Sequence, residues 1–241
     1  MNEKLDRLKV KIFADGAGRA DILEWHDNLY IRGLTTNPSL LRKEGIVDLE
    51  AFAKEVLSLT PDKPISFGVL ADDFNLMEQQ ALKIASWGKN VYVKIPVTNT
   101  RRETCYALIK RLTAQGVQLN VTAAMTVDQV QQIVLALSSE VPSFVSVFAG
   151  RIADTGNDPL PIMQEALALI KTNPLCELIW ASSRELFNIF QADAIGCHII
   201  TVTTDILKKL ALIGYDLEDY SLETVKMFHN DVIAAGLKLP A

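Results

Sequence analysis

An alternation of strand-like and helix-like segments runs the length of this 241-residue chain and constrains its fold more than any other feature. Eight short runs rich in Val, Ile, Phe or Thr have the composition of β-strands. These runs are Val10–Asp15, Ile31–Thr36, Ile65–Leu70, Val91–Pro96, Gln118–Ala123, Phe144–Ala149, Leu178–Ser182 and Cys197–Val202. Between several of them, apolar residues recur every three or four positions, which is typical of amphipathic helices with one buried face.

Repeated strand–helix units predict a parallel sheet, and eight of them close naturally into a (β/α)8 TIM barrel. The chain length suits one such domain over residues 1–241. A doubly wound open sheet is the alternative, but the segment Asp15–Arg19 holds only a GxG and lacks the third glycine of a dinucleotide-binding loop. A further apolar repeat over about 221–236 predicts an extra C-terminal helix, which closes the barrel's end or packs on a neighbouring subunit.

Composition argues against several classes of function. The net charge of −5 and the lack of a basic block disfavour nucleic acid as a partner. No apolar stretch has the length of a membrane span, and the N-terminus lacks a signal-peptide pattern, so we expect a cytoplasmic protein without membrane contact. The cysteines and histidines are too scattered for a disulfide framework or a metal site: Cys105, Cys176 and Cys197, and His26, His198 and His229.

Lys94 is the most unusual residue of the predicted strands. In the run Val91–Pro96 it shares one face with Tyr92 and Pro96, among largely apolar neighbours. A buried ammonium is costly unless it is paired or loses its proton, and a neutral lysine amine is a nucleophile for carbonyl carbon. The position therefore suggests a Schiff-base enzyme. The ordinary alternative is a lysine at a strand end whose ammonium reaches water.

Polar residues gather at the carboxyl ends of the predicted strands, where the chemistry of such a barrel takes place. Each has an ordinary explanation as a turn, a helix cap or a half-buried strand residue, but their convergence at one end favours an active site. The polar residues are Asp15, Asn37, Lys94, Asn120, Thr122, Ser146, Arg151, Ser182, Ser183 and Arg184, and Phe148 lies between Ser146 and Arg151.

The segment Ser182–Arg184 has the composition of an anion site. Serine hydroxyls and free backbone N–H groups at the start of a helix hold anions, and an arginine adds a planar donor pair for phosphate. We therefore expect a helix to begin at Arg184, with Arg151 as a second cation. Two arginines near the site would also disfavour the ammonium form of Lys94.

These motifs resemble those of the transaldolase family, from about Phe13 into the C-terminal helix. The length resembles that of the short-chain branch, which includes fructose-6-phosphate aldolase and commonly forms decamers. The matching segments are TTNPSL at Thr35–Leu40, the lysine strand at Val93–Pro96, NxT at Asn120–Thr122, F-x-G-R-I at Phe148–Ile152 and A-S-x-R at Ala181–Arg184.

The resemblance implies a class I aldolase mechanism. Lys94 would form a Schiff base with a ketose, Asp15 would act as general acid–base, and Thr122 would orient a catalytic water. It implies a transferase that moves a dihydroxyacetone unit to an aldehyde acceptor. No metal or organic cofactor would be needed.

The resemblance also implies a substrate-binding set and an assembly state. Asn37 and Asn120 would hold the dihydroxyacetone fragment, and Ser182 and Arg184, with Arg151, would grip the phosphate of a sugar-phosphate substrate. The chain would form a homo-oligomer, by analogy a decamer. Two further residues complete the predicted binding set: Ser146 and Phe148.

Two positions depart from the branches of the family. Gly68 occupies a site where the family places a Glu, or a Gln in the aldolase branch, so Asp72 or Asp73 reaches in, the pocket takes another substrate, or turnover is impaired. Phe148 replaces the aldolase branch's Tyr, which favours transfer over free cleavage. The alternatives to a transaldolase are therefore an aldolase-like or other carbon–carbon lyase with an altered substrate, and a non-catalytic sugar-phosphate-binding protein.

Overall fold

The computed structural model describes residues 3–16 and 18–239, and its eight parallel strands close into a barrel in chain order. Each predicted strand is confirmed, with ends that differ by at most two residues. The open-sheet alternative is wrong, because β8 pairs with β1. The strands are β1 Lys11–Asp15, β2 Ile31–Thr35, β3 Ile65–Gly68, β4 Val91–Pro96, β5 Leu119–Ala124, β6 Ser143–Val147, β7 Cys176–Trp180 and β8 Ile199–Thr203.

Helices cover the outside of the barrel, and short polar residues begin many of them. The carboxylates of Asp48, Asp73 and Asp158 each accept a backbone N–H in the first turn of the helix that follows. The helices are α1 Glu3–Asp6, α2 Arg19–Asp27, α3 Pro38–Lys43, α4 Leu49–Leu59, α5 Phe74–Ala85, α6 Tyr106–Ala114, α7 Val127–Ala136, α8 Ala149–Asp154, α9 Pro159–Ile170, α10 Phe187–Ala194, α11 Thr204–Leu207, a 3-10 helix Lys208–Leu212, and α12 Leu217–Ala235.

Strand alternation divides the apolar residues into two layers. One large cluster joins the outward faces of the strands to the helices. A smaller cluster fills the barrel interior around Phe13 and Phe144, whose ring centroids lie 5.8 Å apart, and Tyr92 stacks on Phe144 at 3.9 Å. A Cβ at Gly33 would lie 2.5 Å from the Phe13 ring, so glycine makes room for that ring. The aromatic cluster closes the barrel interior, as packed layers do in this fold.

The register of the sheet places the predicted residues side by side. Gly68 of β3 pairs with Lys94 of β4, and Lys94 pairs with Asn120 of β5. Two residues further along, Pro96 pairs with Thr122. Because side chains alternate along a strand, Lys94 faces the barrel interior while its neighbours on β4 pack outward against the helices.

The predicted C-terminal helix is confirmed, but it begins earlier than the apolar repeat suggested. It spans α12, Leu217–Ala235, where the Asp216 carboxylate accepts the first free N–H groups, and none of its described side chains is buried. Its apolar side chains stay exposed, including Leu222, Val225, Phe228, Val232 and Ile233. The helix therefore does not close the end of its own barrel. Within residues 3–16 and 18–239, no helix is both long and apolar enough to cross a bilayer.

Candidate active site

Lys94 lies inside the barrel, and its Nζ donates a hydrogen bond to the backbone oxygen of Thr36 at 2.9 Å. Burial lowers the pKa of Lys94, while the nearby charge of Asp15 opposes that shift. Burial, and not the two arginines that the sequence suggested, is therefore the cause of the lowered pKa. The amine is weakly basic for a lysine, a requirement for a carbonyl nucleophile.

Asp15 ends β1, close enough to Lys94 for their charges to interact, and its carboxylate accepts hydrogen bonds from two side chains. Thr35 Oγ1 donates to its Oδ1 at 2.8 Å, and Asn37 Nδ2 donates to its Oδ2 at 3.1 Å. Burial raises the pKa of Asp15, and the Lys94 charge and the two hydrogen bonds act in the opposite direction. A carboxyl group with a raised pKa beside an amine with a lowered pKa is suited to proton transfer, because the two shifts bring the pKa values of acid and base closer together.

Asn37 has two structural functions. It is the N-cap of α3, where its Oδ1 accepts the backbone N–H of Leu40 at 3.0 Å, and Pro38 occupies the first turn. Its Nδ2 simultaneously donates to Asp15. The helix cap and a role beside Asp15 are therefore compatible. The start of α3 fixes the Asn37 amide, and this amide orients the Asp15 carboxylate.

Asn120 of β5 is held by hydroxyl groups from β3 and from the neighbouring strand β6. Its Nδ2 donates to Ser66 Oγ at 2.9 Å, and Ser146 Oγ donates to its Oδ1 at 2.7 Å. All three side chains are buried in the barrel interior. These bonds fix the orientation of the amide and leave one N–H of Nδ2 for another acceptor. Ser66 was missed in the sequence, because a serine inside a strand carries no distinctive signal.

Thr122, the third predicted catalytic residue, has a hydroxyl without a partner among the described residues. Its Oγ1 is buried and makes no hydrogen bond. The strand is irregular here: the register with β6 shifts between Val121 and Ala124, and Ala123 has a positive φ of 65°. A buried hydroxyl without a partner is costly, so this atom is well placed to hold a water or a substrate group.

The segment after β7 differs from the prediction. The following helix, α10, begins at Phe187 and not at Arg184, so Ser182 and Ser183 do not cap it. Ser183 Oγ instead donates to the backbone oxygen of Thr201 at 2.9 Å. Ser182 has a positive φ of 62°, a strained backbone conformation for serine. The predicted helix start at Arg184 is therefore wrong, and the anion-binding role of Ser182 and Arg184 stays a prediction.

Arg184 and Arg151 are exposed beside that segment. Arg184 forms an ion pair with Asp154, with Nε donating to Oδ1 at 3.1 Å. The guanidinium carbon of Arg151 lies 5.9 Å from the centre of the Phe148 ring, within cation–π range. Asp154 was not singled out in the sequence. It occupies one edge of the Arg184 guanidinium and leaves its remaining N–H groups for an anion.

Space is open beside Lys94 at Gly68. A Cβ placed on Gly68 would lie 3.8 Å from the Lys94 Cβ, an ordinary contact. Asp72 does not fill this space, because its carboxylate accepts from Thr100 N at 2.8 Å and Thr100 Oγ1 at 2.6 Å. Asp73 caps α5. The prediction that Asp72 or Asp73 replaces the absent acid is therefore wrong. Over residues 3–16 and 18–239, no group of three His, Cys, Asp or Glu side chains could hold a metal.

Comparison with known proteins identifies the family. The family model described as transaldolase/fructose-6-phosphate aldolase matches residues 12–239. A protein named probable transaldolase from Thermoanaerobacter is 33% identical over 231 residues, which covers 95% of this chain and 100% of that one. A probable transaldolase from Clostridium acetobutylicum is 34% identical over 215 residues, covering 89% and 94%.

Solved structures share the architecture at low sequence identity. KGPDC from Streptococcus mutans superposes with a TM-score of 0.54 at 12% identity, covering 84% of this chain and 90% of that one. A truncated 3-deoxy-D-arabino-heptulosonate 7-phosphate synthase from Thermotoga maritima gives 0.51 at 15%, covering 96% and 89%. These two likenesses support the barrel fold alone. The sequence matches decide the family: this chain belongs to the transaldolase/fructose-6-phosphate aldolase family.

Proposed function

We propose that this protein is a transaldolase that moves a dihydroxyacetone unit from a ketose phosphate to an aldehyde through a Schiff base on Lys94. One observation carries the proposal: the buried Lys94 amine, whose pKa is lowered, lies close enough to Asp15 for their charges to interact. Such a pair supplies a nucleophile and a general acid–base in one water-poor site.

Each step of the proposed reaction uses this pair. The neutral Lys94 amine adds to the ketone carbon, and the resulting hydroxyl takes up one proton from solvent and leaves as water, so that a protonated imine remains. Hydrolysis of the final imine returns that proton. Asp15, as carboxylate, removes the proton from the substrate hydroxyl next to the bond that breaks. A new carbonyl forms there, and the electron pair of the carbon–carbon bond moves to the iminium as the aldehyde leaves. The enamine then attacks the acceptor, Asp15 returns the proton, and water hydrolyses the new imine.

The remaining predicted residues bind and orient. The fixed amides of Asn37 and Asn120 would hold the hydroxyls of the dihydroxyacetone unit, with Ser146 setting the second amide. The unpartnered Thr122 hydroxyl would hold the water that enters and leaves. The following residues would bind the phosphate and line its approach: Phe148, Arg151, Ser182 and Arg184.

The most direct experiment traps the intermediate. Borohydride added with fructose 6-phosphate is expected to leave a reduced adduct of a dihydroxyacetone unit or of the whole ketose on Lys94, located by peptide mass spectrometry. With an aldehyde phosphate as acceptor, the unmodified enzyme is expected to form a new ketose phosphate faster than it releases free dihydroxyacetone. The absence of both adduct and product with every ketose phosphate would contradict the proposal.

Gly68 gives specific support to a second candidate, a related carbon–carbon lyase or transferase with another ketose as its donor. The open space beside Lys94 accommodates substrate atoms where a longer side chain would stand. The same trapping experiment separates the two. An adduct on Lys94 with an unphosphorylated or branched ketose, together with inert ketose phosphates, would favour the second candidate. Tight phosphate-ligand binding without any adduct would favour a non-catalytic protein.

We also propose a cytoplasmic homo-oligomer, with a decamer as the family precedent. The apolar side chains exposed along α12 support it, since a helix with no buried residue gains little from its own barrel. A second copy of the chain would cover this face. The barrel itself presents no other helix of this length with all of its described side chains unburied.

Charge on the α12 face is expected to break the assembly. The double substitution Phe228→Glu and Val232→Glu places carboxylates one turn apart among apolar residues, which is incompatible with a desolvated interface. Light scattering after size exclusion should show the variant at a smaller mass than the parent. Leu135→Glu, on α7 and 71% exposed in the parent, is the matched control and should keep the parent mass. A monomeric parent would contradict the proposal.

A further inference from the structure

Thr201 is a buried polar residue in the middle of β8, a strand to which no sequence motif assigned a function. Its side chain faces the barrel interior with 6% of its surface exposed. Its Oγ1 lies 2.6 Å from Thr35 Oγ1, and Thr35 Oγ1 lies 2.8 Å from Asp15 Oδ1. Three side chains on the adjacent strands β8, β2 and β1 thus form one continuous chain of hydrogen bonds ending at the carboxylate.

The protons in this chain can be ordered only one way when Asp15 is ionised. A threonine hydroxyl has one proton to donate. Ionised Asp15 only accepts, so Thr35 donates to Asp15 and Thr201 must donate to Thr35. When Asp15 carries a proton, the chain can reverse, with Asp15 donating to Thr35 and Thr35 to Thr201. Hydrogen bonds in such a chain polarise and strengthen one another.

We infer that Thr201 is a positioning residue that acts through Thr35 to orient Asp15 and to stabilise its ionised form. The inference rests on the proposed function, in which Asp15 must be ionised to accept a substrate proton. A simple packing role would be served equally well by valine, which has the same shape without the hydroxyl. The Thr201 backbone also accepts from Ser183 Oγ, so the same residue ties Asp15 to the segment after β7.

Other charges face Asp15 and are common to all variants of Thr201. The charge of Lys94 on β4 lowers the pKa of Asp15, and Asn37 is a neutral hydrogen-bond partner of the carboxylate. A cavity of about 370 Å³ opens beside Asp15 on the α2, α3 and β8 side. The titratable residues that line this cavity are Asp21, Lys43, Glu44, Asp205 and Lys208.

The test compares Thr201→Val with Thr201→Ser. In the valine variant the Thr35 bond to the carboxylate weakens, so the Asp15 pKa rises and the acidic limb of kcat/KM moves to higher pH. Polarisation strengthens each bond of such a chain by about 10–30%, so we expect kcat/KM on that limb to fall by up to about four-fold. At pH values above the acidic limb, kcat/KM of the valine variant should approach that of the parent. The serine variant keeps a hydroxyl and should restore the parent profile.

A second readout does not depend on turnover. The ¹³C resonance of the Asp15 carboxyl, assigned by its loss in Asp15→Asn, should titrate at higher pH in Thr201→Val than in the parent or in Thr201→Ser. This shift is measurable even if the proposed reaction is wrong. Failure of the Thr201 inference can therefore be distinguished from failure of the proposed function. An unchanged Asp15 titration in a folded Thr201→Val protein would overturn the inference, as would an equal effect of the serine substitution.

Discussion

Replacing Lys94 with methionine is expected to abolish the borohydride-trapped adduct and to lower kcat by at least about 10⁴-fold, as loss of a nucleophile does in covalent catalysis. Methionine has a similar length and fits a buried position, so the barrel should still fold. The substitution removes the buried amine whose charge interacts with Asp15. The measurement is peptide mass spectrometry of the trapped protein together with steady-state kinetics.

Lys63 supplies a matched control for that substitution. Its pKa is also lowered by burial, but its Nζ donates to the backbone oxygens of Trp25 and His26, at 2.8 and 2.7 Å. Lys63→Met should keep the adduct and the activity of its folded fraction. An adduct that persists at another lysine in Lys94→Met would refute the assignment of the nucleophile.

The rate of borohydride trapping should depend on pH because the pKa of Lys94 is lowered. Burial lowers the pKa of Lys94 from the ordinary value of 10.5, so the folded protein holds this proton less tightly than a free lysine does. The fraction of Lys94 in the reactive neutral form therefore increases as pH rises through the lowered pKa. The rate of adduct formation in the parent should increase with pH and level off below the ordinary lysine value.

The sequence predicted the barrel well because its signals are local and repeated. Period-two alternation in β4 identified the face of Lys94, and the structure keeps that face inside the barrel. The residues around it were harder to find. Thr35 and Thr201 are ordinary strand formers, and only the register of the closed sheet brings their hydroxyls together. Asp154 likewise has no local pattern that would connect it to Arg184.

The anion segment shows why one prediction failed. Ser-Ser before a charged pair has the composition of a helix start, and local propensity predicts a cap there. One tertiary and two local contacts decide otherwise. Ser183 bonds to β8, and the N–H groups of Arg184 and Glu185 donate to the nearby Asn188 Oδ1 at 2.8 and 3.1 Å. The helix therefore begins three residues later than its apparent signal, at Phe187.

Gly150→Ala is expected to produce the largest loss of stability among single methyl additions at this mouth of the barrel. A Cβ at Gly150 would lie 1.6 Å from the backbone oxygen of Ser182 and 2.8 Å from its carbonyl carbon. Neither atom is the end of a flexible side chain, so α8 or the segment after β7 must move. We expect a loss of about 2–4 kcal/mol in the free energy of unfolding, measured by urea denaturation.

The expected loss of stability is opposite in sign to the gain that helix propensity predicts, so the two effects can be told apart. Gly150 lies within α8, where alanine is favoured over glycine by about 1 kcal/mol in an isolated helix. Gly68→Ala is the control, because its Cβ would meet only ordinary contacts at 3.8 Å. It should change stability by no more than about 0.5 kcal/mol.

The Gly150 substitution should also reveal the function of the segment it displaces. The added methyl would lie 3.1 Å from the Arg184 Cγ, so a folded Gly150→Ala fraction would carry a shifted Ser182 and Arg184. If these residues bind the phosphate, KM for a phosphorylated donor should rise by about 10-fold or more, since a charge-assisted bond contributes about 1.5–3 kcal/mol. KM for an unphosphorylated ketose should change far less. An equal loss for both donors would instead mean that the displaced segment supports the barrel around Lys94 and does not recognise phosphate.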